Sequence, residues 1–157
     1  MMLLQRILDD AEETMELAQR IAALLSPGTV VTLSGDLGAG KTVFTKGLAR
    51  GLGVHELVNS PTFTIIKEYR SGRLPLFHMD VYRITDEEDI GIEEYYDQHG
   101  VTVIEWAENI PSWLPNDYLQ IKLMHIDETK RKLTITAHGK NAERLCREIE
   151  AHENIGD

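Results

Sequence analysis

Eight consecutive residues have the types and the spacing of a phosphate-binding loop. They match the pattern G-x-x-x-x-G-K-[ST] and are Gly35, Asp36, Leu37, Gly38, Ala39, Gly40, Lys41 and Thr42. The glycines can adopt positive φ angles and carry no Cβ, so successive backbone N–H groups can converge on phosphate oxygens. Lys41 would place an ammonium at the β- and γ-phosphates, and the Thr42 hydroxyl would ligate Mg²⁺. The pattern predicts a site for a nucleoside triphosphate with Mg²⁺.

The segments on either side of this loop support the same interpretation. Residues 30–33 form an apolar, strand-like run, and residues 41–52 have a helical pattern. The loop would therefore lead into the N-terminus of a helix, where unpaired N–H groups and the positive end of the dipole favour an anion. The alternative is a glycine-rich turn between a buried strand and a helix, which the flanking pattern disfavours.

Two acids follow a second buried-strand candidate, residues 101–104. Glu105 and Glu108 occupy the place where a P-loop enzyme needs an acid near its metal, although aspartate is commoner there. If the chain turns helical after Trp106, both carboxylates can face the site. One would hold Mg²⁺ while the other orients the attacking water, and the alternative is a solvated pair at a strand end. Trp106 is expected to pack in the core, with stacking on a base as the alternative.

A predicted β-hairpin, formed by residues 62–69 and 75–82, carries three further candidates. His78 and Asp80 are two apart on a strand and therefore share a face. Asp80 could accept from a metal-bound water or act as a base. His78 is more often a hydrogen-bonded structural histidine, and without a third ligand it does not indicate zinc. Thr62 enters the first strand where many P-loop proteins sense the γ-phosphate, although its position alone favours a plain turn in which Pro61 starts an edge strand.

The remaining patterns complete an α/β protein. We predict one P-loop NTPase-like domain over residues 1–157, with three layers and a mixed sheet that combines a parallel core with the antiparallel hairpin. Asp10 and Glu13 resemble a capping box that begins a helix. The other predicted elements are that helix, ending at Pro27-Gly28; an acidic helix at 86–99 capped by Thr85; a strand pair at 118–127 and 132–138; and a C-terminal helix around 142–149.

Composition limits the possible partners and compartments. The chain has 157 residues, a net charge of −10 and one cysteine, Cys146. The acidic balance argues against a large footprint on a phosphate backbone, so any RNA connection should run through a partner or a local patch, and no DNA binding is expected. A single cysteine cannot form an internal disulfide, and no run of 18 apolar residues or signal-like segment is present. We therefore predict a cytoplasmic protein without a membrane segment.

Four motifs in register resemble the TsaE family, small bacterial P-loop ATPases of tRNA threonylcarbamoyladenosine biosynthesis. They are the octet at 35–42, Ser-Pro-Thr-Phe at 60–63, His-x-Asp-x-Tyr-Arg at 78–83 and Ile-Glu-Trp-x-Glu at 104–108. The resemblance implies ATP hydrolysis coupled to a complex of TsaB and TsaD. In that system TsaD transfers the threonylcarbamoyl group to tRNA, TsaE does not, and tRNA is reached only through the complex.

The resemblance also implies roles for single residues. Asp36 to Lys41 would surround the phosphates, while Thr42 and Glu108 would ligate Mg²⁺. Asp80 would be an essential acid near the γ-phosphate. Arg131 would reach the nucleotide, and Asp10 would lie in the region that contacts the base.

Two other classes of protein use the same loop. A small-molecule kinase would need a lid and an acceptor pocket, neither of which is recognisable, and the acidic segment 86–97 suits no anionic acceptor. A nucleotide-dependent binding module would show negligible turnover. A Ras-like GTPase is disfavoured because no N-K-x-D or T-K-x-D motif occurs, and an ABC ATPase because no L-S-G-G-Q-like segment occurs.

Overall fold

The computed structural model describes residues 2–36, 38–59 and 65–153. Within them lie the strands β1 Met2–Leu8, β2 Val30–Gly35, β3 Ile66–Tyr69, β4 Leu76–Asp80, β5 Val101–Glu105, β6 Tyr118–His125 and β7 Arg131–His138. The helices are α1 Ala11–Ala22, α2 Lys41–Gly51, α3 Ile92–Tyr96 and α4 Lys140–Glu153, and short 3-10 turns span Ala107–Asn109 and Pro111–Trp113. The seven strands form one sheet in the order β1-β7-β6-β2-β5-β4-β3.

The sheet is mixed, which confirms the predicted fold class. Strand β2 pairs in parallel with β5 and β6, and β4 pairs in parallel with β5. The predicted hairpin is present as the antiparallel pair β3–β4, and the second predicted pair as β6–β7. Because β2 lies at the centre, the loop that follows it emerges between two parallel neighbours. Open α/β sheets place ligands at this carboxyl edge.

Alternating side chains of the strands build two cores, one on each face of the sheet. On one face, strand residues such as Leu33 and Ile135 pack under α1, α2 and α4. On the other face, Phe77, Met79 and Ile104 form a smaller core with α3 and the two 3-10 turns. The period-two alternation of strand side chains produces this division, and the result is the predicted three-layer arrangement.

Two glycines allow α1 and α2 to pack closely. A Cβ on Gly47 would lie 2.5 Å from the carbonyl oxygen of Met15, and one on Gly51 would collide with the carbonyl oxygen of Gln19. The two glycines are four residues apart on α2 and therefore share one face of this helix. That face lies against α1. Their small size therefore fixes the distance between the two helices, and with it the position of the loop that α2 follows.

The predicted acidic helix over residues 86–99 is wrong. Only Ile92–Tyr96 is helical, and it begins after Gly91 in the left-handed region (φ 76°). The Asp86 carboxylate accepts hydrogen bonds from the backbone N–H and the hydroxyl of Ser112, and its carbonyl accepts from Trp113 Nε1. These tertiary bonds hold the segment around Asp86 against the second 3-10 turn. The side chains of Glu87, Glu88, Glu93 and Glu94 are exposed, as expected of a solvated acidic surface.

The N-terminal region differs from the prediction in two places. Strand β1 was not predicted, yet it pairs with β7 along its whole length. Helix α1 begins as predicted, with Asp10 Oδ1 accepting from the Glu13 N–H at 2.9 Å. It ends at Ala22, five residues before Pro27, where the Arg73 guanidinium donates to the carbonyl oxygens of Ala22 and Leu25.

Two predicted site residues, Leu37 and Thr62, lie outside the described residues. Of the helices that are described, none has the length and apolarity needed to cross a bilayer.

Candidate phosphate-binding site

The loop between β2 and α2 has the positive φ angles that its glycines were expected to allow. Gly35, Gly38 and Gly40 have φ angles of 148°, 81° and 106°. A Cβ on Gly35 would collide with the carbonyl oxygen of Leu123 on β6. Inside the loop, the Ala39 N–H donates to the Asp36 carbonyl at 2.9 Å. The loop therefore folds tightly against β6 in a conformation that larger residues disfavour.

The N-terminus of α2 opens directly from this loop. Its N-cap residue, Gly40, has no side chain that could accept from the N–H groups of the first turn. These groups, together with the positive end of the helix dipole, favour an anion at this point. The backbone thus suits a phosphate group before any side chain is considered.

Lys41 points toward the predicted acid on β5. Its Nζ lies 3.9 Å from Glu105 Oε1, and only 10% of the Lys41 side chain is exposed. Glu105 is buried at the end of β5, directly beside β2, where it pairs in register with Leu33. The structure therefore brings together two candidates that are 64 positions apart in sequence.

The same carboxylate is held from its other side by a histidine. His78 Nε2 lies 2.6 Å from Glu105 Oε2, and His78 is completely buried. Its second ring nitrogen, Nδ1, has no hydrogen-bond partner among the described residues. The interpretation of His78 as a hydrogen-bonded histidine is therefore right about the bond, but the partner is a candidate catalytic acid. The missing sequence signal was the strand order, which makes β4 and β5 neighbours.

Asp80 ends β4 opposite Glu105 in the register of the two strands. Partial burial raises the pKa of Asp80, and the nearby charge of Glu105 raises it further. The Tyr82 N–H, which donates to Asp80 Oδ1 at 3.0 Å, opposes this shift together with the charges of His78 and Lys41. The net direction is upward, so the Asp80 carboxylate is more basic than an ordinary aspartate.

Trp106 adopts a backbone conformation that is unusual for a bulky residue. Its φ is 65°, and it lies between Glu105 and the 3-10 turn that carries Glu108. The indole is half-buried, packs edge-on against Tyr82 at 4.8 Å, and lies 4.8 Å from Lys41 Nζ. Trp106 is thus a neighbour of the loop lysine, a contact that neither sequence interpretation included. Glu108 is exposed, whereas Glu105 is buried.

A cavity of about 210 Å³ adjoins the loop on its other side. It is lined by Asp10, Gly38, Gly40 and Arg131 together with neighbouring residues. Arg131 donates to the Gly38 carbonyl at 3.3 Å and is steadied by the carbonyls of Asp127 and Lys130. Asp10 and Arg131 are 121 positions apart in the sequence, yet both line this one pocket beside the loop.

A larger cavity, of about 300 Å³, lies at the opposite end of the sheet between Thr29, Tyr118 and Arg144. None of the predicted site residues lines it. We therefore place the candidate site at the loop, where the chemistry-bearing side chains converge.

The central parallel strands and the loop at their carboxyl edge define the fold as P-loop NTPase-like. The family model for TsaE, described as a threonylcarbamoyl adenosine biosynthesis protein, matches residues 8–133. The chain belongs to the TsaE family, and the resemblance seen in the four motifs is confirmed.

Individual relatives agree with this assignment. The chain is 54% identical to the tRNA threonylcarbamoyladenosine biosynthesis protein TsaE of Bacillus subtilis, over 93% of each chain. It is 45% identical to the protein of the same name in Treponema pallidum, over 80% of this chain and 94% of that one. A crystal structure of Bacillus subtilis YdiB superposes with a TM-score of 0.87 at 46% identity, covering 98% of this chain and 97% of the other.

Proposed function

We propose that this protein binds Mg-ATP at the 35–42 loop and hydrolyses it in support of threonylcarbamoyl modification of tRNA adenosine. The observation that carries the proposal is the placement of Lys41. Its ammonium stands at the mouth of a loop with three positive-φ glycines and faces the buried carboxylate of Glu105. The loop and Lys41 would bind phosphate, and the carboxylate of Glu105 lies 3.9 Å from the Lys41 ammonium.

The residues present fit a magnesium triphosphate. The loop N–H groups, the α2 N-terminus and Lys41 would hold the phosphates, with Thr42 and Glu108 as magnesium ligands. Bound Mg²⁺ would neutralise charge on the phosphate oxygens. Asp10 and Arg131 would border the nucleoside, since both line the cavity beside Gly38 and Gly40.

Two acids could orient or deprotonate the attacking water. His78 holds one carboxylate oxygen of Glu105, so the direction of the second oxygen, which faces Lys41, is fixed as well. Asp80 has a raised pKa and is therefore a better proton acceptor than an ordinary aspartate. We propose that Asp80 takes the proton while Glu105 orients Lys41 and the water.

We further propose that turnover is slow in the isolated protein and is stimulated by homologues of TsaB and TsaD. Lys41 is engaged by Glu105 and by the Trp106 ring in this structure. It must exchange these contacts for phosphate oxygens, a rearrangement that a bound partner can favour. The transfer to tRNA would belong to the partner complex, as in the family.

The test is a phosphate-release assay with and without a purified TsaB–TsaD complex. Wild type should be slow alone and faster with the complex, and Lys41→Ala should be inactive in both. Lys46→Ala, on the same helix, is the matched control and should behave as wild type. Label from γ-labelled ATP found in an acceptor molecule instead of free phosphate would establish a kinase and overturn the proposal.

A further inference from the structure

The two acids that end neighbouring strands at the site are each followed by an irregular segment. Asp80 ends β4 and is followed by residues 81–86, which we call the β4 segment. Glu105 ends β5 and is followed by residues 106–113, the β5 segment, which includes both 3-10 turns. The strand register ends with these two acids, and one further backbone bond joins the Val81 N–H to the Glu105 carbonyl. Beyond that bond, side chains tie the two segments together.

One side-chain amide makes such a tie directly behind Asp80. Asn109 Nδ2 donates to the Val81 carbonyl oxygen at 3.1 Å and to the Tyr82 carbonyl oxygen at 3.0 Å. A carbonyl oxygen can only accept, so both partners require the amide nitrogen of Asn109 at this position. The Val81 carbonyl also accepts from the Ile84 N–H within its own segment. Asn109 thus links the β5 segment to the two residues that follow Asp80.

The turn that Asn109 holds is the turn that holds the Asp80 carboxylate. The Tyr82 N–H donates to Asp80 Oδ1 at 3.0 Å, and the carbonyl of the same residue accepts from Asn109. Tyr82 is therefore bonded on both its N–H and its carbonyl. Because Asp80 is only partly buried, its carboxylate could rotate toward solvent if this turn were free to move.

Asn109 also supports the unusual backbone of Trp106. The Asn109 N–H donates to the Trp106 carbonyl at 2.9 Å and closes the first 3-10 turn. Trp106 has a φ of 65°, a conformation that persists in a bulky residue only where surrounding bonds fix it. The rings of Tyr82 and Trp106 pack edge-on at 4.8 Å beside Lys41. Both members of this aromatic pair are therefore bonded to Asn109.

We propose that Asn109 is a positioning residue of the candidate site, whose amide fixes the turn that directs the Asp80 carboxylate toward the attacking water. The proposal rests on the proposed function in one respect, because it takes Asp80 as the acid that receives the proton. Asn109 acts through Tyr82 and not on the phosphate-binding loop. Its loss should therefore lower the rate of the chemical step and leave nucleotide affinity unchanged.

The experiment compares variants of the full chain that differ in the donors at position 109. Asn109→Asp keeps the shape of the side chain but removes both donors, since an ionised carboxylate only accepts. Phosphate release at saturating Mg-ATP should slow by about tenfold or more, because a misplaced acid loses its alignment with the water. The affinity for Mg-ATP, measured by titration, should stay that of wild type. Asn109→His can place an Nδ1–H at the same number of bonds from the backbone and should restore part of the rate.

A second measurement follows the turn itself and does not depend on hydrolysis. Amide hydrogen exchange of the Tyr82 N–H should quicken by about threefold or more in Asn109→Asp, because the turn opens more often. Asn109→Ala, which adds no charge, should show the same changes in rate and exchange. It tests the inference if Asn109→Asp does not fold, and thermal melts establish which variants are folded.

Ser112→Ala is the matched control for a general loosening of the two segments. The Ser112 hydroxyl donates to the Asp86 carboxylate and so joins the same segments farther from Asp80. Its backbone N–H keeps a bond to Asp86 in the variant. Ser112→Ala should keep the wild-type rate and the wild-type exchange of the Tyr82 N–H. Asn116→Asp makes the same amide-to-acid change at an exposed position before β6, at the opposite edge of the sheet, and should also behave as wild type.

The outcomes separate this inference from the proposed function. If wild type releases no phosphate, the proposed function fails and the role of Asn109 in hydrolysis fails with it, while the exchange of the Tyr82 N–H still decides whether Asn109 holds the turn. If wild type hydrolyses ATP and Asn109→Asp does so equally fast, only the inference is overturned. Equal losses of rate in Asn109→Asp and Ser112→Ala would show a general loosening and would overturn it as well.

Discussion

His78 holds Glu105 by a 2.6 Å hydrogen bond between Nε2 and Oε2, and the other oxygen of that carboxylate faces Lys41 at 3.9 Å. The three side chains come from neighbouring strands and from the helix that follows the loop. Because His78 and Glu105 are both buried, neither can rotate into solvent. His78 therefore determines the direction in which Glu105 presents its second oxygen.

His78→Leu should remove this hydrogen bond and lower the rate of ATP hydrolysis on the order of tenfold, as loss of an orienting partner generally does. His78→Gln can place an N–H near the same point and should restore much of the rate. Nucleotide affinity, measured by titration, should change little in either variant, since the loop is untouched. Equal rates in the leucine and glutamine variants would contradict a positioning role.

The contact between Lys41 and Trp106 should report on the nucleotide. The ammonium lies 4.8 Å from the indole centroid and is expected to leave the ring for phosphate oxygens. In a Trp113→Phe background, Mg-ATP should change the emission of the remaining tryptophan. The same titration in Lys41→Ala, where no ammonium is available to leave, should give a much smaller change.

The sequence predicted the parts of this fold that depend on neighbours along the chain. The loop, the strands around it and the Asp10 cap are local patterns, and each is present. Glu105 was predicted for the same reason, because an acid at the end of a buried strand is a short-range signal. The assignment of Glu108 as a metal ligand stays a prediction, since its carboxylate is exposed and no ligand distance tests it.

The rest could not be predicted because it depends on distant pairings. Strand β1 exists through its register with β7, more than 120 residues away. The acidic segment after Thr85 has a helical composition, yet Asp86 is bound by Ser112 and Trp113 and does not join a helix. The contact of His78 with Glu105 likewise requires the strand order. In the acidic segment, tertiary hydrogen bonds outweigh a weak local preference for helix.

Asp80→Asn should stabilise the folded protein at neutral pH while reducing hydrolysis. Burial raises the pKa of Asp80, so the folded state binds this proton more tightly than the unfolded chain, and the ionised carboxylate costs stability above the folded pKa. The difference in melting temperature between variant and wild type should therefore shrink as pH falls through that pKa toward about 4. The amide oxygen can still accept from Tyr82, so the turn is preserved. A variant less stable than wild type at neutral pH would show that the carboxylate is structurally required.

Gly47→Ala tests the close packing that positions the loop. Alanine is the better helix former by about 1 kcal/mol, so propensity alone predicts a gain in stability. The new Cβ would lie 2.5 Å from the Met15 carbonyl oxygen and 2.7 Å from the Ala18 Cβ. Both atoms belong to α1, so neither can move away unless α1 separates from α2. We expect the steric term to dominate and the free energy of unfolding to fall by about 1 to 3 kcal/mol in chemical denaturation. Arg50→Ala, at an exposed position of the same helix, is the control and should change stability by less than about 0.5 kcal/mol. A Gly47→Ala protein as stable as wild type would mean that α1 can shift freely. In that case the loop would owe its position to β2 and β6 alone.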